Sequence, residues 1–461
     1  FDKFLTSFSP GPDNPPSALG EARGVKTMMS LLTASALAGL AAADGASLEL
    51  KVQPEREALL KGGSRDAVIQ IELKAPGSRI KRNVPINLAL VLDRSGSMAG
   101  AKLEKARQAA LTALDQLGPE DILSLVVYSN DAQILVPPRK VTDKDAIRAR
   151  IASISEGGGT ALHAGMEKGA TQLRKYLDEE KVNRIILLSD GLANIGPSSP
   201  SELAKFGIEL AEEGMSVSTI GLGDDYNEDL MTALAEAGNA NYYYVKDTEK
   251  LPGIFAEELG TVKSVAARNV SVTITLPDGV KPRGVVGEEK LVFQGQTVTI
   301  PLAEFSSSQS RRILVACEAP ANGADELKLA RIDLRYDDVA EGRPVRENQT
   351  ARVRQTEDPG EAEKSVRPEV AAQVAVTHNR LAKEKAVRLA DAGQAKEAAE
   401  VLLRQAAANA ALPAAAQSDL LRNEDAELKQ KADELQKSGL LSRGSRKAMQ
   451  YQNYQDKKQK R

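Results

Sequence analysis

The stretch Asn87-Leu-Ala-Leu-Val-Leu-Asp93-Arg-Ser95-Gly-Ser97-Met98 constrains this chain more than any other. Its unbroken apolar run reads as a strand buried on both faces, the kind found inside a parallel sheet covered by helices. The run stops on a carboxylate, and two hydroxyls follow at alternating positions. A strand ending in Asp-x-Ser-x-Ser delivers three hard oxygen donors to one point. That donor set suits a divalent cation such as Mg²⁺ with part of its coordination shell left open. Short patterns of this kind also arise by chance, so other segments must supply the missing ligands.

From residue 84 apolar strands alternate with amphipathic helices, the mark of a mostly parallel α/β sheet. Strands are expected at 122–128, 184–188, 217–222 and 242–245, with a short antiparallel edge strand at 133–136. Helices are expected at 102–117, 143–154, 202–213, 228–237 and 251–262. A further helix, opened by Gly157-Gly-Gly-Thr160, runs to about residue 177. Six strands and their helices make a doubly wound, Rossmann-like domain over 84–264. In such a sheet, of order 3-2-1-4-5-6, ligands lie beyond the carboxyl ends of the two central strands. One of these strands ends in Asp93 and the other in Ser189-Asp190-Gly191. The glycine turn lets backbone approach the same crevice closely, and Thr160 adds a hydroxyl at the mouth of the next helix. The candidate metal ligands are therefore Asp93, Ser95, Ser97, Thr160 and Asp190, five oxygen side chains from three loops.

These residues resemble the metal-ion-dependent adhesion site of von Willebrand factor type A (VWA) domains. The resemblance covers roughly residues 84–262 and includes all five motif positions. It implies that Ser95, Ser97 and, in the ligand-competent state, Thr160 bind the metal directly, while Asp93 and Asp190 act mainly through water. It also implies that an open position takes a carboxylate from a partner protein. Mg²⁺ is the expected ion, with Mn²⁺ or Ca²⁺ as alternatives. The plan of the whole chain is similar to bacterial secreted proteins of this group. Some of these carry names borrowed from chloride-channel regulators and inter-alpha-trypsin-inhibitor heavy chains.

Composition narrows the chemistry. The two histidines, His163 and His378, and the single cysteine, Cys317, argue against structural zinc and against Ser-His-Asp or Cys-His catalysis. Cys317 lies in an apolar strand pattern and reads as a small buried residue. His163, one turn into the helix after Thr160, reads as a structural neighbour of the site. The glycine turn lacks the Gly-Lys-Ser/Thr ending of a phosphate cradle. A formal net charge of −3 with 27% charged residues points to no nucleic-acid partner. Asp224, Asp225, Asn227 and Glu228 form an acidic cluster that reads as a capped, solvated turn.

The remaining segments flank this domain. Residues 1–25 read as a disordered leader and 26–43 as a signal peptide, with a basic flank, an apolar core and small residues at its end. Export to the periplasm, envelope or exterior is the expectation, with no integral span in the mature chain. Alternating strands at 47–52 and 67–73 are too few to form a sheet alone. They are expected to join strands at 270–276, 290–293, 297–300, 312–316, 327–336 and 350–353. The segments 44–83 and 266–355 would thus form one all-β sandwich interrupted by the α/β domain. A linker at 356–369, a helical region at 370–438 and a basic tail at 439–461, read as solvated, complete the chain. Two functions follow. One is an exported, metal-dependent protein-binding module without enzymatic activity; the other is a subunit of an intracellular ATPase or chelatase assembly.

Overall fold

The computed structural model describes residues 47–77, 84–178, 181–288, 291–320 and 325–458. The expected leader and signal peptide lie outside the described residues.

The chain opens with three strands, β1 (Glu49–Pro54), β2 (Ala58–Leu60) and β3 (Asp66–Lys74). The α/β unit follows as β4 (Ile86–Asp93), α1 (Ala101–Gln116), β5 (Ile122–Tyr128), β6 (Ala132–Lys140), α2 (Lys144–Ala152) and α3 (Leu162–Arg174). It continues through β7 (Val182–Ser189), α4 (Pro200–Glu212), β8 (Met215–Leu222), α5 (Glu228–Ala237), β9 (Tyr242–Val245) and α6 (Leu251–Lys263). The strand order is β6-β5-β4-β7-β8-β9, parallel except for the edge strand β6. Every residue of β4 and of β7 is buried, as expected for central strands covered on both faces. The two-residue period of β4 sends Leu88, Leu90 and Leu92 towards α1 and α6, where they meet Leu103, Ala110 and Phe255. Ala89 and Val91 face the opposite layer, with Met166 and Leu173 of α3 and Leu203 of α4. Truncating a fully buried leucine here, such as Leu90, costs about 2–5 kcal/mol through lost burial and the cavity left behind.

After α6 the chain returns to β structure with β10 (Val265–Thr275), β11 (Lys281–Val285), β12 (Thr297–Ser306), β13 (Ser310–Glu318), β14 (Glu326–Asp338) and β15 (Arg343–Thr356). One sheet runs β1-β3-β13-β11 and its partner runs β12-β10-β14-β15-β2. The N-terminal strands are thus part of the later sandwich. Ile71 of β3 lies opposite Ile313 of β13 in antiparallel register, and Ala58 of β2 pairs in parallel with Arg354 of β15. Ile69, Ile71 and Leu73 meet Val272, Ile274 and Leu334 in the core between the sheets. One expected strand is absent and one unexpected strand is present. Residues 291–293 are not a strand, whereas Lys281-Pro-Arg-Gly-Val is, with Gly284 at φ 125° and a register shift beside it. A short edge strand tolerates Pro and Gly because one of its hydrogen-bonding sides is unpaired.

The expected linker contains a short helix, α7 (Pro359–Lys364). Then α8 (Pro368–Asp391), α9 (Ala395–Ala410) and α10 (Asp419–Ser438) pack around Ala386, Leu402, Leu428 and Leu435. Lys383 of α8 is fully buried and donates to Glu424 of α10 at 3.0 Å. The basic tail is not a solvated coil. It forms α11 (Arg443–Lys458) and packs on α8 and on the β9 edge of the α/β unit. The buried Tyr454 hydroxyl accepts from Tyr242 N–H at 3.0 Å and donates to Ala240 C=O at 2.7 Å. Lys447, also buried, donates to Glu228 and to Tyr226 C=O, and Arg446 reaches Glu228, Asp229 and Asp391. The acidic cluster is accordingly only half a solvated turn. Asn227 caps α5 by accepting from Leu230 N–H, while Glu228 is buried under the cations of α11.

Candidate metal centre

β4 and β7 are adjacent and parallel, with Leu92 opposite Leu188, so both chains leave the sheet at the same edge, where strand order reverses. Asp93 ends β4 and Asp190 follows β7. Both carboxylates are completely buried, and Ser95 and Thr160 nearly so, while Ser97 is exposed.

Asp93 is held on both oxygens. The Ser95 backbone N–H donates to Oδ1 at 2.8 Å and the Ser189 hydroxyl donates to Oδ2 at 2.8 Å. Ser95 Oγ lies 3.1 Å from Ser97 Oγ, and Ser97 Oγ donates to Asp190 Oδ1 at 2.7 Å. The other oxygen of Asp190 accepts from Lys102 Nζ at 2.5 Å. Thr160 reaches the same place. A Cβ at Gly191 would stand 3.2 Å from Ser97 Oγ and 3.7 Å from Thr160 Oγ1. Asp93, Ser95, Ser97 and Asp190 therefore lie in one chain of short contacts, with the Thr160 hydroxyl close beside it.

The loop carrying Thr160 is pinned from two sides. Gly157 N–H donates to Arg94 C=O at 2.6 Å, and Gly96 N–H to Gly158 C=O at 2.9 Å. Asn194 accepts from the Thr160 N–H at 2.8 Å and returns its own N–H to Thr160 C=O at 3.2 Å. Glycine is obligatory at 157, because a Cβ there would lie 2.5 Å from the Ser129 side chain.

Burial raises the Asp93 carboxyl above its usual range, and the Asp190 charge pushes the same way, against the Ser95 and Ser189 hydrogen bonds. Two carboxylates out of water at one edge, with Lys102 beside only one of them, leave negative charge that a divalent cation would neutralise. The donors are carboxylates and hydroxyls, the hard set that Mg²⁺ or Ca²⁺ takes. Among the described residues no group of three or more His, Cys, Asp or Glu side chains gathers to hold an ion, here included, so a cation at this edge would depend on the hydroxyls as well as on the two carboxylates. The residues thus fit a cation, and Asp93, Ser95, Ser97, Thr160 and Asp190 are the ones that would hold it. His163 packs against Phe206 with ring centroids 4.9 Å apart.

Three members of the site were not singled out from the sequence. Lys102 sits in the first turn of α1, where a lone lysine looks like any solvated helix residue. Ser189 was visible as part of Ser-Asp-Gly but carried no assigned partner. Asn194 sits in an irregular loop, with no periodicity to mark it.

A doubly wound sheet with this donor set at its switch point defines the von Willebrand factor type A class. Residues 87–257 match the von Willebrand factor type A domain model, and this part of the chain is a VWA domain. It is 28% identical over 283 residues to an uncharacterized protein of Synechocystis sp., a match covering 59% of this chain and 67% of that protein. It is 28% identical over 226 residues to the Escherichia coli protein YfbK, covering 48% of this chain and 39% of YfbK. Human inter-alpha-trypsin inhibitor heavy chain H3 is 30% identical over 161 residues, which span 33% of this chain and 18% of the heavy chain. Two solved structures share the architecture across most of the chain. A von Willebrand factor type A protein from Catenulispora acidiphila has a TM-score of 0.62 at 18% identity, covering 86% of this chain and 96% of its own. The ArnB paralog VWA2 from Sulfolobus acidocaldarius has a TM-score of 0.58 at 18% identity, covering 89% and 99%.

Proposed function

We propose that this chain is an exported protein-binding module. In this reading it holds a divalent cation, Mg²⁺ ahead of Mn²⁺ or Ca²⁺, through Asp93, Ser95, Ser97, Thr160 and Asp190. Its partner is a protein presenting an Asp or Glu carboxylate. One observation carries the reading: two fully buried carboxylates and three hydroxyls converge from three loops at the open edge of the sheet. When bound, the cation supplies a Lewis-acidic position for the partner's carboxylate. The chain does the rest. Ser95 N–H and the Ser189 hydroxyl fix the orientation of Asp93, and Asn194 clamps the backbone on both sides of the Thr160 side chain. Binding is preferred to catalysis in this reading because the one histidine near the site, His163, packs at a tilt against Phe206, and no hydrogen bond among the described residues pairs it with a hydroxyl or thiol as a general base would need.

Calorimetric titration of Mg²⁺ and Mn²⁺ into wild type and Asp93→Ala tests the cation site. Saturable binding to wild type alone is expected, and equal binding by both proteins would sink the assignment. Export has its own test. A mature protein beginning near Asp44 supports it, whereas a native protein that keeps residues 28–43 supports a subunit of an intracellular ATPase or chelatase assembly. No described helix is long and apolar enough to cross a membrane.

A further inference from the structure

Away from the cation site, a cavity of about 510 Å³ opens where α4 and α5 of the VWA domain, the sandwich, α8 and α11 come together. That volume lies in the range of small-molecule sites. Its walls are mixed. Ile208 of α4 stands half exposed, with Leu302 of β12 and Val376 of α8 also lining the space. The polar side is rich in cations, most of them compensated. Arg312 pairs with Glu72 at 2.9 Å, Arg380 with Glu384 at 2.6 Å, and Lys457 with Glu236 at 3.3 Å and Glu288 at 3.9 Å.

Arg311 differs. Its guanidinium offers five N–H donors, yet among the described residues it makes one long hydrogen bond, 3.5 Å to Lys457 C=O, and no ion pair. That carbonyl lies in the last turn of α11, where the helix end carries only about half a negative charge. Burial pushes the Arg311 pKa down to about 10, against the weaker pull of Tyr454 and Glu288. Arg311 keeps part of its surface open on the cavity wall, so a cation short of a full counter-charge stands where an anion can reach it.

We propose that this cavity binds an amphipathic monocarboxylate, its carboxylate forked on Arg311 and its hydrocarbon body along Ile208, Leu302 and Val376. A planar guanidinium matches a carboxylate with two parallel hydrogen bonds. Glu236 and Glu288 are already held by Lys457, and Asp456 lies 3.7 Å from Lys383, so Arg311 offers one unmatched positive charge, which suits a monoanion better than a phosphate dianion. The apolar walls select a hydrocarbon body over a sugar or nucleotide.

Decanoate titrated calorimetrically into the full chain tests this. Saturable one-site binding is expected, weakened at least about tenfold by Arg311→Met, the loss of one charge-assisted pair. Decanol should bind wild type and Arg311→Met alike. Ile208→Glu, on the exposed side of α4, should cause a comparable loss without touching β13, and it decides the matter if Arg311→Met does not fold. Affinity should be unchanged in EDTA. Binding that disappears with the chelator would put the carboxylate at the Asp93 centre and overturn the proposal. So would the absence of saturable heat, or equal decanoate binding by wild type and both variants.

Discussion

Lys102 Nζ lies 2.5 Å from Asp190 Oδ2, while the opposite oxygen of the same carboxylate accepts from Ser97. Asp190 has no exposure to solvent and the Lys102 side chain retains 29%. One residue of the cation site is therefore already shared with a charge supplied by the chain. A divalent ion gathered by Asp93, Ser97 and Asp190 meets an ammonium that repels it, and that same ammonium offsets the charge of the buried Asp190 carboxylate.

Replacing Lys102 by Met should thus have two opposite effects. Metal-free protein should lose about 1–2 kcal/mol, less than for a fully buried pair because the lysine is partly solvated. Added Mg²⁺ should then stabilise the variant more than it stabilises wild type. Thermal denaturation in EDTA and in excess Mg²⁺ reads both changes. A variant that is destabilised yet binds Mg²⁺ less tightly would show that Lys102 supports the cation and does not compete with it.

Acid should separate the two charge states of Asp93. Its folded pKa is raised above the reference value of 3.8, so the native state takes up a proton more readily than the unfolded chain. That contribution to metal-free stability is complete below the reference value and is lost as pH rises through the higher folded value. Cation binding has the opposite slope, because it needs the carboxylate. The Mg²⁺-induced rise in Tm should shrink from neutral pH towards the acid range, and Asp93→Asn should flatten that dependence. An unchanged Mg²⁺ effect across the range would remove Asp93 from the ligand set.

Tyr454 ties the last helix to the β9 edge by two hydrogen bonds, to Tyr242 N–H and Ala240 C=O. Tyr454→Phe keeps the ring packing and leaves both backbone groups unsatisfied, at a cost of about 1–3 kcal/mol. Chemical denaturation should show this loss in the transition reported by the α/β unit. If the VWA domain melts unchanged while only α8–α11 respond, the strap is not thermodynamically part of the domain.

The sandwich should not fold from its C-terminal portion alone. Residues 266–355 lack β3, which pairs with β13 over nine positions and brings Ile69, Ile71 and Leu73 to the core. Circular dichroism melts of the fragment 266–355, with and without a peptide covering residues 44–76, should show cooperative unfolding only for the pair. Equal stability of the fragment alone would contradict it.

What could be read from residues follows from how each segment is stabilised. β4 and β7 are stabilised by apolar burial on both faces, so each carries an unbroken apolar run, Leu88–Leu92 and Ile185–Leu188, whose end announces the loop that carries Asp93 or Asp190. α11 is stabilised differently. Lys447 and Arg446 neutralise Glu228, Asp229 and Asp391, and Tyr454 makes specific bonds. Its composition is that of a solvated tail because the partners that make burial favourable are remote in sequence, Asp391 by 55 residues and Glu228, Asp229, Ala240 and Tyr242 by more than 200. Lys102 was illegible for the same reason. A lysine declares its role only through the carboxylate it faces. The sandwich strands were legible in their period but not in their edges, since β11 carries Pro282 and Gly284 where its outer side needs no partner.

Ser264 alone separates the last residue of α6, Lys263, from the first of β10, Val265. Its carbonyl is taken by Ser307 N–H at 2.6 Å, so even this single link is bolted to the sandwich. The junction has no slack. An axial slip of α6 by one turn, about 5.4 Å, would have to drag β10 out of register with β12 and β14 or break the helix at its end. The two-domain body is therefore built as a stiff coupling, in which the VWA helix most directly joined to the rest of the chain acts as a pushrod with no play.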